Sequence, residues 1–312
     1  MSFLAQVQIY CFLMSYVVSL IGEAWILLRR QSTLARIVVL AFTLAGFFAH
    51  TVYLVTRSRS AGLPPLLSSQ QDWLLVLAWI GALLYLVLLV LHRQLAHGLF
   101  MLPAILLLVA IAVFASQQVT GQLDQTDQLA LRRLGMFHAA SLVLGIAAVV
   151  GGTISGLMYL LHHQRLRQRS GWLQRLKLPS LENLTAVNRW MVVFSVPCLT
   201  IGLITGFILI FWTRNQGDVP PIRWTDPTIV TTLIIWIAMI AVLIRVLSST
   251  HQTGKAVAQL SLLSGGFLMT TVAGLMILSG SGNLSTFHSG TPVKESPSAG
   301  LAPSDSAPEV PQ

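Results

Sequence analysis

The sequence predicts an all-α membrane protein, a polytopic bundle of about eight transmembrane helices with both termini outside. Of its 312 residues, 54% are hydrophobic and only 9% are charged, and the mean hydropathy is +0.75. A soluble domain carries about 25% charged residues. A chain of this composition cannot cover its own surface for water, so soluble classes of protein are excluded.

Eight runs are long and apolar enough to cross a hydrocarbon core, which takes about 20 residues of helix. They cover residues 7–28, 36–56, 73–92, 98–116, 134–161, 190–213, 228–247 and 259–280. Only Arg93 to His97 separate the third run from the fourth, which predicts a tight helical hairpin. The first run is preceded by no basic region and followed by no small-residue cleavage site, so it is predicted to be a span and not a signal peptide.

Basic residues fall unequally between the two sets of loops. Twelve Lys and Arg residues lie in loops after odd-numbered spans, and seven lie in the even loops and the tail. The positive-inside rule therefore places the odd loops in the cytoplasm and both termini outside. We expect a multi-pass protein of the cell's inner (plasma) membrane. The same rule accounts for the net charge of +9 without nucleic acid, for which no binding motif is present.

The spans divide the chain into three expected parts. An N-terminal region with four spans covers 1–129, and a second group of four spans covers 130–290. The tail, 291–312, is rich in Pro and Ser and has no apolar periodicity, which is typical of disorder.

Three of the eight histidines are predicted to share the outer leaflet. His50 lies in the second span and His138 in the fifth, and His288 follows the eighth. An ionisable side chain within a span is costly and is a functional-site hypothesis by default. Neutral imidazole is a standard axial ligand of haem iron. The alternative is that each histidine hydrogen-bonds a neighbouring helix, and the residues alone leave both interpretations open.

Other polar or small residues within the spans have simpler interpretations. Glu23 is the one acid deep inside a predicted span; we expect it to pair with Arg30 or to extend its carboxylate toward the interface, and a proton relay is an alternative without an identified partner. Gly152–Gly156 and Gly202–Gly206 have the G-xxx-G spacing, which predicts close helix approach within the bundle or against a partner subunit.

The loop between the sixth and seventh spans, PPIRWTDPTIV, carries Trp224, Asp226 and Pro227. A tryptophan at the membrane interface offers a flat face to a planar ligand. Asp followed by Pro is equally typical of a helix start, as N-cap and first helical residue. Arg214 and Arg223 either pair with carboxylates such as haem propionates or are solvated.

An outward tryptophan-rich loop that ends in W-x-D-P, flanked by histidines on the same side, resembles the cytochrome c assembly family. The CcsA, CcmC and HemX types of this family are haem-handling membrane proteins with a WWD domain. Further similar stretches are LPSLENLTAVNRW at 178–190, GLITG at 202–206 and FHSG at 287–290. The resemblance covers about 130–290, which makes this part the expected cytochrome c assembly core.

The resemblance implies a site and a role. His138 and His288 would be the axial ligands of haem b, bound without a covalent link at the outer face, with Trp224 and Asp226 beside it. His50 resembles an additional histidine of the longer members. The implied role is cytochrome c biogenesis, in which haem is delivered to apocytochrome c with a second synthase membrane subunit, and no catalytic residue is assigned to this chain.

The loop departs from the family pattern in two places. One Trp of the closing W-x-W-D is absent, and Thr228-Ile229 stand where Lys-Glu is expected. This degenerate WWD motif also fits a HemX-like membrane regulator of tetrapyrrole biosynthesis, which would act on a cytoplasmic partner through the basic segment 162–189. A small-solute transporter is a weaker alternative, because no inverted repeat or pair of broken helices is visible in the spans.

Overall fold

The computed structural model describes residues 8–28, 33–62, 64–91, 97–115, 129–167 and 178–215, together with short pieces between 230 and 266. The described chain folds into α1 (Ile9–Leu28), α2 (Thr33–Ala61), α3 (Pro65–Ser68), α4 (Gln70–Leu91), α5 (Gly98–Phe114), α6 (Leu129–Arg167) and α7 (Leu181–Asn215). Trp224, Asp226 and His288 lie outside the described residues. No strand occurs among the described ones, which confirms the all-α class.

Five helices of the described part are long and apolar enough to cross a membrane, and α5 is a shorter apolar helix. The five segments are Ile9–Leu28, Thr33–Ala61, Gln70–Val90, Arg132–Leu166 and Leu181–Trp212. Helices therefore stand at six of the eight predicted runs. The last two runs are only partly described, with helical residues between 230 and 266. The multi-pass membrane character is confirmed, while the count of eight and the orientation stay predictions.

The two longest helices extend well beyond their predicted apolar runs. Helix α6 has 39 residues and α7 has 35, whereas the runs predicted for them were 134–161 and 190–213. The added turns, such as those at Arg165 and Glu182, are polar, so hydropathy gives no signal of the helix there.

Helices α1, α2, α4 and α5 contact one another and form what we call the N-terminal bundle. Helix α1 packs on α2 and on α5, α2 packs on α4, and α4 packs on α5 as the predicted hairpin. At the contact of α1 with α2, the buried residues repeat every three or four positions, which places them on one face of each helix. These residues are Phe12, Tyr16 and Ser19 of α1 and Val39, Thr43, Gly46, His50 and Leu54 of α2.

Helices α6 and α7 form the most extensive pair in the described part. A side chain at Gly202 would place its Cβ 2.5 Å from Leu142, and one at Gly145 would place it 2.7 Å from Leu199. A Cβ at Gly156 would lie 2.8 Å from the carbonyl oxygen of Ala258. The predicted close approach at both G-xxx-G stretches is confirmed, and the helices that approach belong to this chain.

Candidate functional site

His138 lies in α6 at the contact with α7, where its ring is half-buried. Its Nδ1 is 2.8 Å from the carbonyl oxygen of Gly202. A carbonyl oxygen can only accept a hydrogen bond, so Nδ1 carries the hydrogen and donates it. In the neutral imidazole, the other nitrogen, Nε2, then holds a lone pair. This is the form of histidine that binds a metal ion.

The imidazole of His138 rests on bare backbone of α7. A Cβ at Gly206 would lie 2.9 Å from Cε1 of the ring and 3.2 Å from Nδ1. Thr205 places its hydroxyl oxygen 3.5 Å from the same nitrogen, while that hydroxyl also donates within α7 to the carbonyl of Ile201 at 2.7 Å. The stretch GLITG, 202–206, therefore forms the surface against which the ring packs. We call this surface the seat of His138.

The tryptophan loop is bounded by α7 on one side and, on the other, by a helical segment that contacts α7. On the near side, α7 itself ends at Asn215 and exposes Trp212 by 45% in its last turn. On the far side, Nε1 of Trp236 donates to the hydroxyl of Thr200 at 2.8 Å. Thr200 is two residues from Gly202, so the helical segment after the loop meets α7 at the level of His138. The loop residues Trp224 and Asp226 themselves lie outside the described part.

His50 is fully buried in the N-terminal bundle. Its ring is stacked on Phe12, with centroids 4.1 Å apart and parallel planes, and its Nδ1 is 3.3 Å from the hydroxyl of Tyr16. The backbone of Leu75 in α4 approaches the ring, but Nε2 makes no hydrogen bond to any described residue. Nε2 is itself buried, so in this state an iron cannot reach it unless the helices part.

The structure does not bring together the two candidate histidines that it describes, His50 and His138. His138 contacts α7, whereas His50 contacts α1 and α4, and α2 is not packed against α6. His50 makes the contacts that the alternative interpretation predicts, in which an intramembrane histidine hydrogen-bonds a neighbouring helix. The assignments of His50, His138 and His288 as ligands stay predictions, and His288 lies outside the described residues.

Glu23 has a partner that the sequence did not reveal. The hydroxyl of Tyr85 donates to its Oε1 at 2.7 Å. Gly98, the first residue of α5, lies against the same carboxyl group, since a Cβ there would be 2.6 Å from Oε1. The carboxylate is therefore held between α4 and the start of α5, inside the N-terminal bundle. The pairing expected with Arg30 falls on a residue outside the described part.

Two further site residues went unnoticed in the sequence, Gly202 with its carbonyl and Thr205 with its hydroxyl. The run GLITG indicates small residues at a helix contact, but it does not indicate a partner for His138. No group of three or more His, Cys, Asp or Glu side chains able to hold a metal ion occurs among the described residues. In this part of the chain, His138 therefore offers a single ligand position beside α7.

The comparison with known families gives one match. The family described as "Cytochrome C assembly protein" matches residues 67–282, more than half of the chain. The matched range includes α4 to α7, His138 and the tryptophan loop. Neither a curated protein nor a solved structure matches the chain. The chain therefore belongs to the cytochrome C assembly protein family, and its role lies in cytochrome c biogenesis.

Proposed function

We propose that this protein binds haem b at the outer end of the α6–α7 pair and hands it to apocytochrome c. Nε2 of His138 would hold the haem iron in this proposal, together with His288. The observation that carries the proposal is the hydrogen bond from Nδ1 of His138 to the carbonyl of Gly202, 2.8 Å long. It holds the imidazole in the tautomer whose lone pair is on Nε2.

This arrangement matches the usual environment of a metal-binding histidine. Such residues donate their second ring N–H to a carboxylate or a backbone carbonyl, which fixes both the tautomer and the ring orientation. Because the bare backbone at Gly206 lies against the ring, the imidazole is also held sterically. His138 is therefore oriented before any ligand arrives, so binding need not order this side chain.

The tryptophan loop supplies the rest of the proposed site. It joins the end of α7 to the helical segment of Trp236, whose bond to Thr200 ties that segment to α7. In this proposal the loop extends to His138. Trp224 would stack on the porphyrin, and Arg214 and Arg223 would pair with its propionates. Haem would supply the iron that the two imidazoles bind. Its vinyl groups would form the covalent bonds to the apocytochrome.

Delivery takes place on the outer side in this proposal, with a second membrane subunit of the cytochrome c synthase and the apocytochrome as partners. The chain binds and orients haem, and the thioether bonds form on the partner. Binding and orienting haem needs no residue of this chain as a general acid or base.

A haem reconstitution of the purified full chain tests the ligand assignment. We expect a Soret band of bis-imidazole character that is lost in His138→Ala and in His288→Ala. His163→Ala is the matched control, because that residue lies near the opposite end of α6 and contacts Tyr159. His50→Ala tests the additional-histidine prediction separately. A wild-type protein without a Soret band, or variants that all retain it, would refute the proposal.

The biological role needs a second readout. A deletion strain should lose mature cytochrome c, and the wild-type gene should restore it while the gene for His138→Ala should not. Normal cytochrome c in the deletion strain, together with changed levels of tetrapyrrole intermediates, would instead favour the HemX-like regulator.

A further inference from the structure

An open groove of about 710 Å³ lies at the start of α7, beside the last turns of α6. One side of it is polar and is formed by Glu182, Thr185 and Arg189. These positions are three and four residues apart, so they lie on one face of the helix. Trp190 and Val193 line the groove next to them. A volume of this size is typical of sites that hold a small molecule.

The apolar run predicted from the sequence places the groove at the boundary between headgroups and hydrocarbon. The apolar run that α7 contributes begins at residue 190, so Glu182 to Arg189 precede it in the polar layer. Trp190 has 71% of its surface exposed, at the depth where membrane proteins place tryptophan. An occupant of the groove would therefore meet charges first and apolar surface one turn deeper.

Two charges of opposite sign stand in the groove without partners in the described part of the chain. Both Glu182 and Arg189 are exposed, and neither forms an ion pair with a described residue. Seven residues of helix separate them by about 10.5 Å along the axis, so they are too far apart to pair readily with each other. A ligand that carries an anion and a cation a few ångströms apart can satisfy both side chains together.

We propose that this groove binds the headgroup of an aminophospholipid. The phosphate lies at Arg189, where the guanidinium fork suits it. The ammonium group lies at Glu182, and the start of an acyl chain lies along Trp190 and Val193. A phospholipid without an ammonium group would leave Glu182 unpaired beside a phosphate, which is unfavourable. This site lies at the start of α7, whereas His138 contacts residues 202–206 farther along the helix. The proposal does not depend on haem binding.

Native mass spectrometry of the purified full chain, titrated with phosphatidylethanolamine or phosphatidylglycerol, tests the proposal. We expect the wild type to retain the first lipid preferentially. Arg189→Gln should weaken retention of both lipids by about fivefold, the factor that corresponds to a good exposed ion pair. Glu182→Gln should weaken phosphatidylethanolamine alone and so abolish the preference.

Controls separate this site from general attraction to basic residues. Arg133→Gln removes one exposed arginine from the opposite end of α6 and should change nothing, and Arg189→Lys should restore most of the retention. Equal retention of both lipids by the wild type, or an unchanged preference in Glu182→Gln, would overturn the proposal. So would displacement of the lipid by haem with a loss of haem affinity in Arg189→Gln, which would make the groove a haem site.

Discussion

Replacing Gly206 by alanine tests the seat of His138 directly. The added Cβ would lie 2.9 Å from Cε1 of the ring, whereas ordinary contacts begin at 3.4 Å. The imidazole must therefore move away from α7 by about half an ångström. Such a shift stretches the 2.8 Å bond from Nδ1 to the carbonyl of Gly202 to about 3.3 Å, beyond the usual range of N–H···O bonds.

The expected effects of this substitution on affinity and on stability differ. Loss of a hydrogen bond that orients a metal-binding histidine typically lowers metal affinity by about 10- to 100-fold, so haem affinity should fall by that factor. The lost bond costs about 1 kcal/mol of folding free energy. Alanine is better than glycine inside a helix by about 1 kcal/mol, so the two terms offset and the unfolding temperature should hardly change.

The assay is a haem titration of purified Gly206→Ala, followed at the Soret band, with thermal unfolding measured on the same protein. Gly151→Ala is the matched control in the same helix pair. Its Cβ would meet the Sδ of Met191 at 3.3 Å, and a flexible thioether can yield. If Gly206→Ala binds haem as tightly as the control, the imidazole does not act from this seat. A loss of more than about 2 kcal/mol of stability would show that Gly206 serves helix packing instead.

Three further substitutions have defined outcomes. Thr205→Val should lower haem affinity by less than about threefold, because its hydroxyl is 3.5 Å from the imidazole nitrogen, beyond good hydrogen-bond distance; a tenfold loss in the same titration would contradict this. Asp72→Asn should lower thermal stability by about 2–3 kcal/mol, since it breaks a buried pair with Arg57 at 3.3 Å. Tyr85→Phe should cost about 1–2 kcal/mol, because the half-buried carboxyl of Glu23 loses its 2.7 Å donor. In thermal unfolding, the double variant Tyr85→Phe with Glu23→Gln should recover part of that loss. If the losses of the two single variants simply add, Glu23 and Tyr85 do not stabilise each other.

The membrane helices were predictable because the bilayer imposes one length and one composition on every span. Helices α1, α2 and α4 begin and end within a few residues of their predicted runs. The ends of α6 and α7 were not predictable from hydropathy, since their terminal turns are polar. A predicted apolar run thus reports the hydrocarbon layer, and the helix that contains it is longer.

The partners of the polar residues were less accessible to sequence reasoning. The residue that fixes His138 contributes only a carbonyl, which every residue possesses, and it lies 64 positions along the chain. The G-xxx-G spacing predicted that α7 could approach closely, but not which side chain would occupy the space. Tyr85 was likewise one aromatic residue among many in an apolar run. Long-range contacts of this kind depend on the arrangement of the helices, which composition does not determine.

His50 and His138 show how tertiary contacts separate residues that the sequence treats alike. His50 and His138 are both intramembrane imidazoles, and the sequence offered both as haem ligands. Nδ1 of His138 faces a carbonyl, which can only accept, so its tautomer is fixed and Nε2 holds a lone pair. Nδ1 of His50 faces the phenol of Tyr16, which can donate or accept, so this contact imposes no tautomer.

This difference ranks the two residues as ligands on physical grounds. His50 is also stacked against Phe12 inside a bundle whose helices would have to part, while His138 stands at the level where the segment after the tryptophan loop meets α7. If His50→Ala abolished the Soret band while His138→Ala kept it, tautomer and access would not decide which histidine binds haem, and the N-terminal bundle would have to open to bind it.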